Sequence, residues 1–398
     1  MDRQLFSDRY YNLNKLFMEQ IGIWPEQPLA KRIVFPIINV LIVASILIPE
    51  VPQKLRKQNN NKMFDHVIEG LPPMLIISLS WVKLLNGVVK QSAISHLLDR
   101  IENDWKSMEK NSSSIAILQK NAEEGRKLTI LYAVLVYSAV TAFTGLPLIP
   151  LVLNFVAPLN ESRPKIFLYE TDYKVDPEKY YYYMLCHYYV TSYVCIMVFV
   201  TVDTMFAVWV QHCCALFEIV GYNLRHAINS GIDLETSMPH SGEAVEYRNL
   251  CYCIKQHRDA IIFANLIEST YSTSLAYTTG VNMVVMSITG VLVVIKLNDY
   301  EEAMRFAALT AGQIYHLYFL TIPGQKVIDY STSISESAYT GDWCQFSPRA
   351  KMLLKLIIAR SHKPCMLTAG KVYLINMENF SAVMKTSISY FTVFSSLR

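Results

Sequence analysis

The sequence predicts an all-α membrane protein with seven transmembrane helices, and three observations carry that prediction. Hydrophobic residues make up 52% of the 398 residues and charged residues only 17%, against roughly 25% charged in an ordinary soluble protein. Seven segments reach or approach the about 17–25 mostly apolar residues that a helix needs to cross a bilayer. None of the seven alternates with a period of two, as strands and membrane β-barrels do. The net charge is +3, from 36 Lys+Arg and 33 Asp+Glu. That balance leaves no basic footprint for nucleic acid. The 25 Tyr and 17 Phe suit places where a side chain is half apolar and half wet.

Along the chain, residues 1–30 mix Arg3, Arg9, Lys15 and Glu19 with apolar residues. They hold no apolar core of about 7–15 residues such as a secretory signal needs. The seven segments then follow at 33–49, 71–89, 128–157, 184–210, 260–295, 303–322 and 380–397. The third, fourth and fifth are longer than a bilayer requires and are expected to tilt or project beyond it. An eighth run, 352–359, is too short to span and reads as a helix buried in protein. No internal repeat of the transporter kind is visible.

Seven crossings put the two ends on opposite sides. The density of Lys and Arg in the loops favours neither orientation. The sequon Asn160-Glu161-Ser162 follows the third segment. It lies outside, as a glycosylation candidate at Asn160, if the N-terminus is cytoplasmic. The outer loops are then short, and the long loops 88–127, 211–259 and 323–379 are cytoplasmic. Residues 211–227 and 245–259 keep apolar residues three and four apart, so helices four and five extend into the cytoplasm. Tyr330, Ile334, Tyr339, Trp343 and the 352–358 run add a packed helical body there, suited to subunit contact. None of the eight cysteines falls in an outer loop, so no disulfide framework is expected. Cys251 and Cys253 with His257 could hold a metal, but their number and spacing fit structural zinc poorly. Reduced thiols are the simpler reading, and no metal or other cofactor is expected.

The last segment holds Thr386, Ser387, Ser389, Tyr390, Thr392, Ser395 and Ser396. So many hydroxyls suit helix contacts or a watery path more than lipid. Thr386, Ser389 or Tyr390, Val393 and Leu397 share one face. Charged residues within the segments are suspects for function or for ion pairing. Lys83 is near the inner end of the second, where it can snorkel. Asp203 lies in the fourth, and Glu268 near the inner interface of the fifth. Tyr180–Tyr183, His187, Tyr188 and Tyr189 form an aromatic belt at the outer end of the fourth. No P-loop, GxGxxG, HExxH or GxSxG is present, so no enzyme is expected. Asp8-Arg9-Tyr10 copies a G-protein-coupled receptor triplet but stands in the first ten residues, and no NPxxY follows in the last segment.

Several stretches together resemble the insect odorant receptor family, particularly the large set from ants and other Hymenoptera. They are Ile21-Gly22-Ile23-Trp24-Pro25, Asp104-Trp105, the run HRDAIIFANLIE at 257–268, and Pro323-Gly324-Gln325. The most specific are SESAYTGDW at 335–343, PCMLTAG at 364–370, Phe380, and Ser389-Tyr390-Phe391-Thr392-Val393. Cys344 and Ile388 depart slightly from the family pattern.

The resemblance implies a cytoplasmic N-terminus, an extracellular C-terminus and a subunit of a tetrameric, non-selective cation channel in the plasma membrane of olfactory neuron dendrites. It implies that four copies of the last helix line one pore, through Thr386, Ser389, Tyr390, Val393, Ser396 and Leu397. Val393 and Leu397 are the outermost apolar positions on that face, where an apolar ring closes a pore by drying. The chain resembles the odorant-specific subunit, partnered by a shared co-receptor, because its second cytoplasmic loop lacks the co-receptor's long insertion. On this reading residues 1–322 carry the first six helices and the ligand pocket, 323–379 the cytoplasmic anchor and 380–398 the pore helix, as one integrated fold.

The family's pocket lies in the outer half of helices two, three, four and six and takes a small volatile odorant. By depth, helix two offers Met74, Ile77, Ser78 and Trp81, and helix three offers Thr141, Thr144, Gly145 and Leu148. Helix four offers Tyr188, Thr191 and Ser192, and helix six offers Ala308, Thr310, Ala311 and Tyr315. No charge stands in this set, which argues for a neutral ligand. A gustatory-receptor-like channel and a G-protein-coupled receptor are the alternative readings.

Overall fold

A computed structural model describes residues 4–47, 63–157, 163, 165–168, 173–227 and 242–396, with the backbone alone at 63–68, 242–244, 390–391 and 393–396. The sequon at Asn160 and the gate position Leu397 lie outside the described residues.

A short α1 (Asn12–Gln20) lies against the inner half of the bundle. The chain then reverses at Gly22, whose φ of +77° favours glycine because any Cβ crowds the backbone there. Ile21, Ile23 and Trp24 drop from this turn into the core. α2 (Leu29–Ser45) and α3 (Met63–Val89) follow. α4 (Gln91–Met108) is amphipathic and buries Ile94, Leu97, Leu98 and Ile101 at three- and four-residue spacing.

α5 (Ser112–Gly145) starts under an Asn111 cap, whose side chain accepts from the Ser114 N–H at 3.1 Å. The third sequence segment is therefore not one helix. Its crossing is made by α5, which begins in the inner body and stops at Gly145. Leu146 and Pro147 turn the chain into a separate α6 (Leu148–Val156). Pro147 lacks an N–H to continue the ladder.

α7 (Tyr181–Arg225) and α8 (Gly242–Ile295) run unbroken from the outer end into the inner body. α9 (Tyr300–Thr340) opens under Asp299, which accepts from the Glu302 N–H at 3.2 Å, with Glu301 and Glu302 in its first turn. It passes through Pro323 without a break, so the sixth helix runs 18 residues beyond the expected end at 322 (340 − 322). α10 (Pro348–Ser361), capped by Ser347, is the short protein-packed helix expected from the 352–359 run. A two-residue hairpin, β1 (Thr368–Ala369) against β2 (Tyr373–Leu374), leads into α11 (Met377–Ser396).

All seven apolar segments thus lie on helices. On length and hydropathy alone, α3, α5, α7 and α8 qualify as spans. α9 is diluted by Arg305, Gln313 and His316, which all face a protein cavity rather than lipid. α7 is the axis of the bundle. It packs on α5, α8 and α9 and also on α1, α2 and α3. All eight cysteines are free, and no cluster of three or more metal-binding side chains occurs among the described residues.

Candidate ligand cavity and pore face

A cavity of about 400 Å³ opens between α3, α5, α7 and α9 in the outer half, within the usual range of about 300–1,000 Å³ for small-molecule sites. Ile76 and Ile77 of α3 face Leu135, Val136, Ala139, Val140 and Phe143 of α5 across it. Ile196 and Phe199 of α7 and Phe306 and Leu309 of α9 complete an apolar wall.

Polar groups stand at both ends. At the mouth, Lys296 bridges Glu69 and Glu302, each at 2.7 Å, and Arg305 lies 3.4 Å from Glu302. Burial alone would lower the Lys296 pKa, but the hydrogen bonds and charges of Glu302 and Glu69 outweigh it and raise the group above an ordinary lysine. Lys296 therefore stays charged and ties α3 to α9.

At the inner end, Tyr132 donates to Asp203 at 2.9 Å, and His316 Nε2 lies 3.1 Å from the same carboxylate. Lys83 closes on the other Asp203 oxygen, and Asn282 sits 3.0 Å from His316 Nδ1. Lys83 and Asp203 are each 2% exposed. Lys83 therefore does not snorkel but turns inward, and one ionic knot joins five helices beneath the cavity. A charge in a membrane interior is tolerated only when paired in this way.

The expected pocket residues divide. Ile77, Thr191, Ser192, Ala308 and Tyr315 line the cavity. Met74, Ser78, Trp81, Thr141, Thr144, Gly145, Leu148, Tyr188, Thr310 and Ala311 are not among its lining residues. These positions were expected there by depth, and several of them carry hydroxyls. Within an apolar helix a hydroxyl turns back to its own backbone. Ser78 bonds the Leu75 carbonyl at 2.6 Å, Thr141 that of Tyr137 at 2.7 Å and Thr144 that of Val140 at 2.8 Å. Thr310 reaches sideways to Thr289 of α8 at 2.7 Å. Tyr188 packs under the outer loop beside Tyr173. Leu148 and Gly145 sit at the α5–α6 turn.

The sequence reading missed Tyr132, Glu69, Glu302, Arg305, Gln313 and His316. An expectation of an uncharged lining passed over charges that neutralise one another. The signal available was Asp203 itself, an intramembrane carboxylate in need of partners. Of the aromatic belt, Tyr182 and Tyr183 face outward, whereas Tyr181 is buried and donates to the Ile166 carbonyl at 3.0 Å, holding the outer loop down.

α11 packs chiefly on α8 and α9. Val383 is buried with Met286 and Leu317, and Phe380 meets Tyr318 with ring centroids 5.7 Å apart. The opposite face, with Ser381, Lys385, Thr386, Ser389 and Thr392, is exposed on the single chain. Thr386 and Ser389 bond their own helix carbonyls at 2.9 and 3.0 Å. Tyr390, Val393 and Ser396 lie on α11, with only their backbone described.

The family model of the 7tm Odorant receptor matches residues 64–388, most of the length. The chain belongs to the seven-transmembrane odorant receptor family. This odorant receptor is accordingly a multi-pass membrane protein. It is 23% identical to Odorant receptor 13a of Drosophila melanogaster over 335 residues, covering 80% of this chain and 77% of that one. It is 22% identical to the Odorant receptor coreceptor of the ant Ooceraea biroi over 160 residues, covering 39% of this chain and 33% of that one. Its fold is similar to that of the olfactory receptor OR5 from Machilis hrabei in complex with eugenol. There the TM-score is 0.75 at 12% identity, with all of both chains covered.

Residues that carried the family resemblance hold the receptor's inner half together. Trp105 donates to Tyr11 at 3.2 Å and Asp104 lies 3.0 Å from His212. Arg225 donates to Ser337 at 2.9 Å, the Cys365 N–H to Ser331 at 3.0 Å and Thr368 to Glu268 at 2.6 Å. Gly324 lets the Ile375 backbone lie against α9, where a Cβ would collide with it. The neighbouring Gln325 Oε1 accepts from the Met377 N–H at 3.2 Å, seating the first residue of α11.

Proposed function

We propose that this receptor is the odorant-specific subunit of a ligand-gated, non-selective cation channel, working with a shared co-receptor in a heterotetramer of the neuronal plasma membrane. The odorant site is the outer cavity, with Ile77, Thr191, Ser192, Ala308 and Tyr315 among the contacts. The observation that carries the reading is the double role of α9. Its outer stretch from Glu302 to His316 lines the cavity. Its next turns, Leu317, Tyr318 and Gln325, touch Val383, Phe380 and the first residue of α11. A ligand that widens the cavity displaces the element on which the last helix rests.

The hydroxyl-bearing free face of α11 supports a pore lining through Thr386, Ser389, Tyr390 and Ser396, with Val393 and Leu397 as the drying constriction. Tyr339, Met352, Leu356 and Val372 of the inner body are exposed at 71%, 68%, 59% and 94%. Exposed apolar residues outside the bilayer support subunit contacts through the 323–379 anchor.

The test is whole-cell recording with and without a co-receptor. The chain should conduct on odorant application only with its partner, and Val393→Gln should raise the ligand-independent current. Full currents from the chain alone remove the partnership, and unchanged basal current and ion selectivity in Val393→Gln remove α11 from the gate.

A further inference from the structure

Most of the charged and several of the polar groups around the outer cavity are already engaged. Tyr132 and His316 are held by Asp203 and Asn282. Thr191 is held by its own helix at 2.7 Å. Glu69, Glu302 and Arg305 belong to the ion pairs at the mouth. Gln313 differs. Among the described residues, it is the cavity-lining residue with a buried side-chain oxygen, Oε1, that has no hydrogen-bond partner. Gln313 stands two turns below Arg305 on α9, about 12 Å along the helix axis. It lies just above the sealed knot at His316. Its neighbour Gly312 brings no side chain, and a Cβ there would meet nothing within 4 Å. Space and an orphan acceptor therefore lie on one turn of α9; the oxygen itself is closed off from the cavity and reaches a ligand there by a turn of the Gln313 side chain.

An amide oxygen kept from water without a partner is costly. A ligand that donates to it recovers that cost, and a ligand of equal shape without a donor does not. We infer that Gln313 is the specificity-determining residue of the cavity, and that it selects neutral hydroxyl-bearing molecules over ethers and hydrocarbons of the same length. This assignment rests on the cavity being the odorant site. The apolar walls of Ile77, Val136, Ile196 and Phe306 take the hydrocarbon part. A carboxylate would set its charge against Oε1, and an ammonium would lose its hydration against those walls.

The experiment uses straight-chain alcohols from hexanol to dodecanol, each with the methyl ether and the alkane of matching length. They are applied to cells expressing the receptor with a co-receptor. For the most potent chain length, the alcohol should surpass its ether by about five- to tenfold, as one net hydrogen bond provides. Gln313→Leu should abolish that preference while moving ether potency less than about twofold. Leu309→Val, a packing change on the same wall, should weaken all three classes and keep their ratio. An unchanged alcohol preference in Gln313→Leu, a parallel loss for all three classes, or no alcohol preference in the unmodified receptor overturns the assignment. If no odorant of any class evokes current, the channel reading fails, and the thermal midpoint of the purified receptor decides for Gln313 alone. A larger shift with alcohol than with ether, lost in Gln313→Leu, supports the assignment. Equal shifts in both proteins overturn it.

Discussion

α7 runs through two differently built regions. At its outer end, Tyr182, Tyr183, Cys186, Val190 and Tyr193 are exposed between buried neighbours, the alternation of a helix with one free face. Further in, every position from 198 to 217 is buried. The inner half surrounds α7 on all sides, whereas the outer half spreads its helices around a cavity. Glycines follow the same division. In the inner half, a Cβ at Gly221 would press on Ser337, and one at Gly341 on the backbone of Leu224 and Arg225. In the outer half, a Cβ at Gly145, Gly290 or Gly312 would meet nothing within 4 Å. The inner glycines permit close approach and the outer ones border space. Close packing makes the inner half rigid and loose packing lets the outer half admit a guest, because only unfilled volume can be exchanged for ligand.

The ionic knot lies at the border, and breaking it should have the largest effect. Lys83→Met leaves Asp203 buried with half its compensation, a loss of about 3–5 kcal/mol of stability. Surface delivery and the thermal midpoint should both collapse. Adding Asp203→Asn should recover part of the loss, and no recovery in the double variant would mean that the two side chains are not energetically coupled.

Gly324→Ala comes next, because the new methyl group meets the Ile375 backbone rather than a yielding side chain. It should cost about 1–3 kcal/mol and unseat the start of α11, read as lower expression together with altered gating. The same substitution at Gly312 should have the opposite sign. With open space and a helix-interior position, Gly312→Ala should stabilise by about 0.5–1 kcal/mol and weaken the bulkiest agonists. Destabilisation at Gly312 would contradict the contrast between the two halves. The smallest effect belongs to the free face of α11. Ser381→Ala is an exposed change that should alter folding by less than about 0.5 kcal/mol. Single-channel conductance is its sensitive readout, and a large stability loss there would show that this face is buried in packing rather than facing water.

Seven apolar segments, the inner body and the short helix at 348–361 were legible in the sequence, since each depends on local length, hydropathy and periodicity. Helix limits were less so. The break at Leu146-Pro147 sits inside an apolar run, and α9 passes through a proline that reads as a stop. Helix phase was the main loss at the cavity. Depth pointed to α3, α5, α7 and α9, but choosing among neighbours needs the rotation of each helix about its axis. Thr141 and Val140 are one residue apart, and only Val140 lines the cavity.

By its composition, segment lengths and motifs, the sequence alone determined a seven-helix membrane chain with a helical body beyond the bilayer and its family resemblance. Motif residues such as Trp105, Glu268, Gly324, Ser337 and Cys365 proved to be contacts of the closely packed half, where one atom too many is felt. The tertiary structure alone decided that Lys83, Asp203, His316, Tyr132 and Asn282 meet, though no two of them share a helix. It alone decided that Gln313 lines the cavity while its side-chain oxygen is buried and unpaired. The physical reason is common to both. Periodicity and hydropathy are properties of one segment, whereas partner choice and empty volume are properties of several helices placed together.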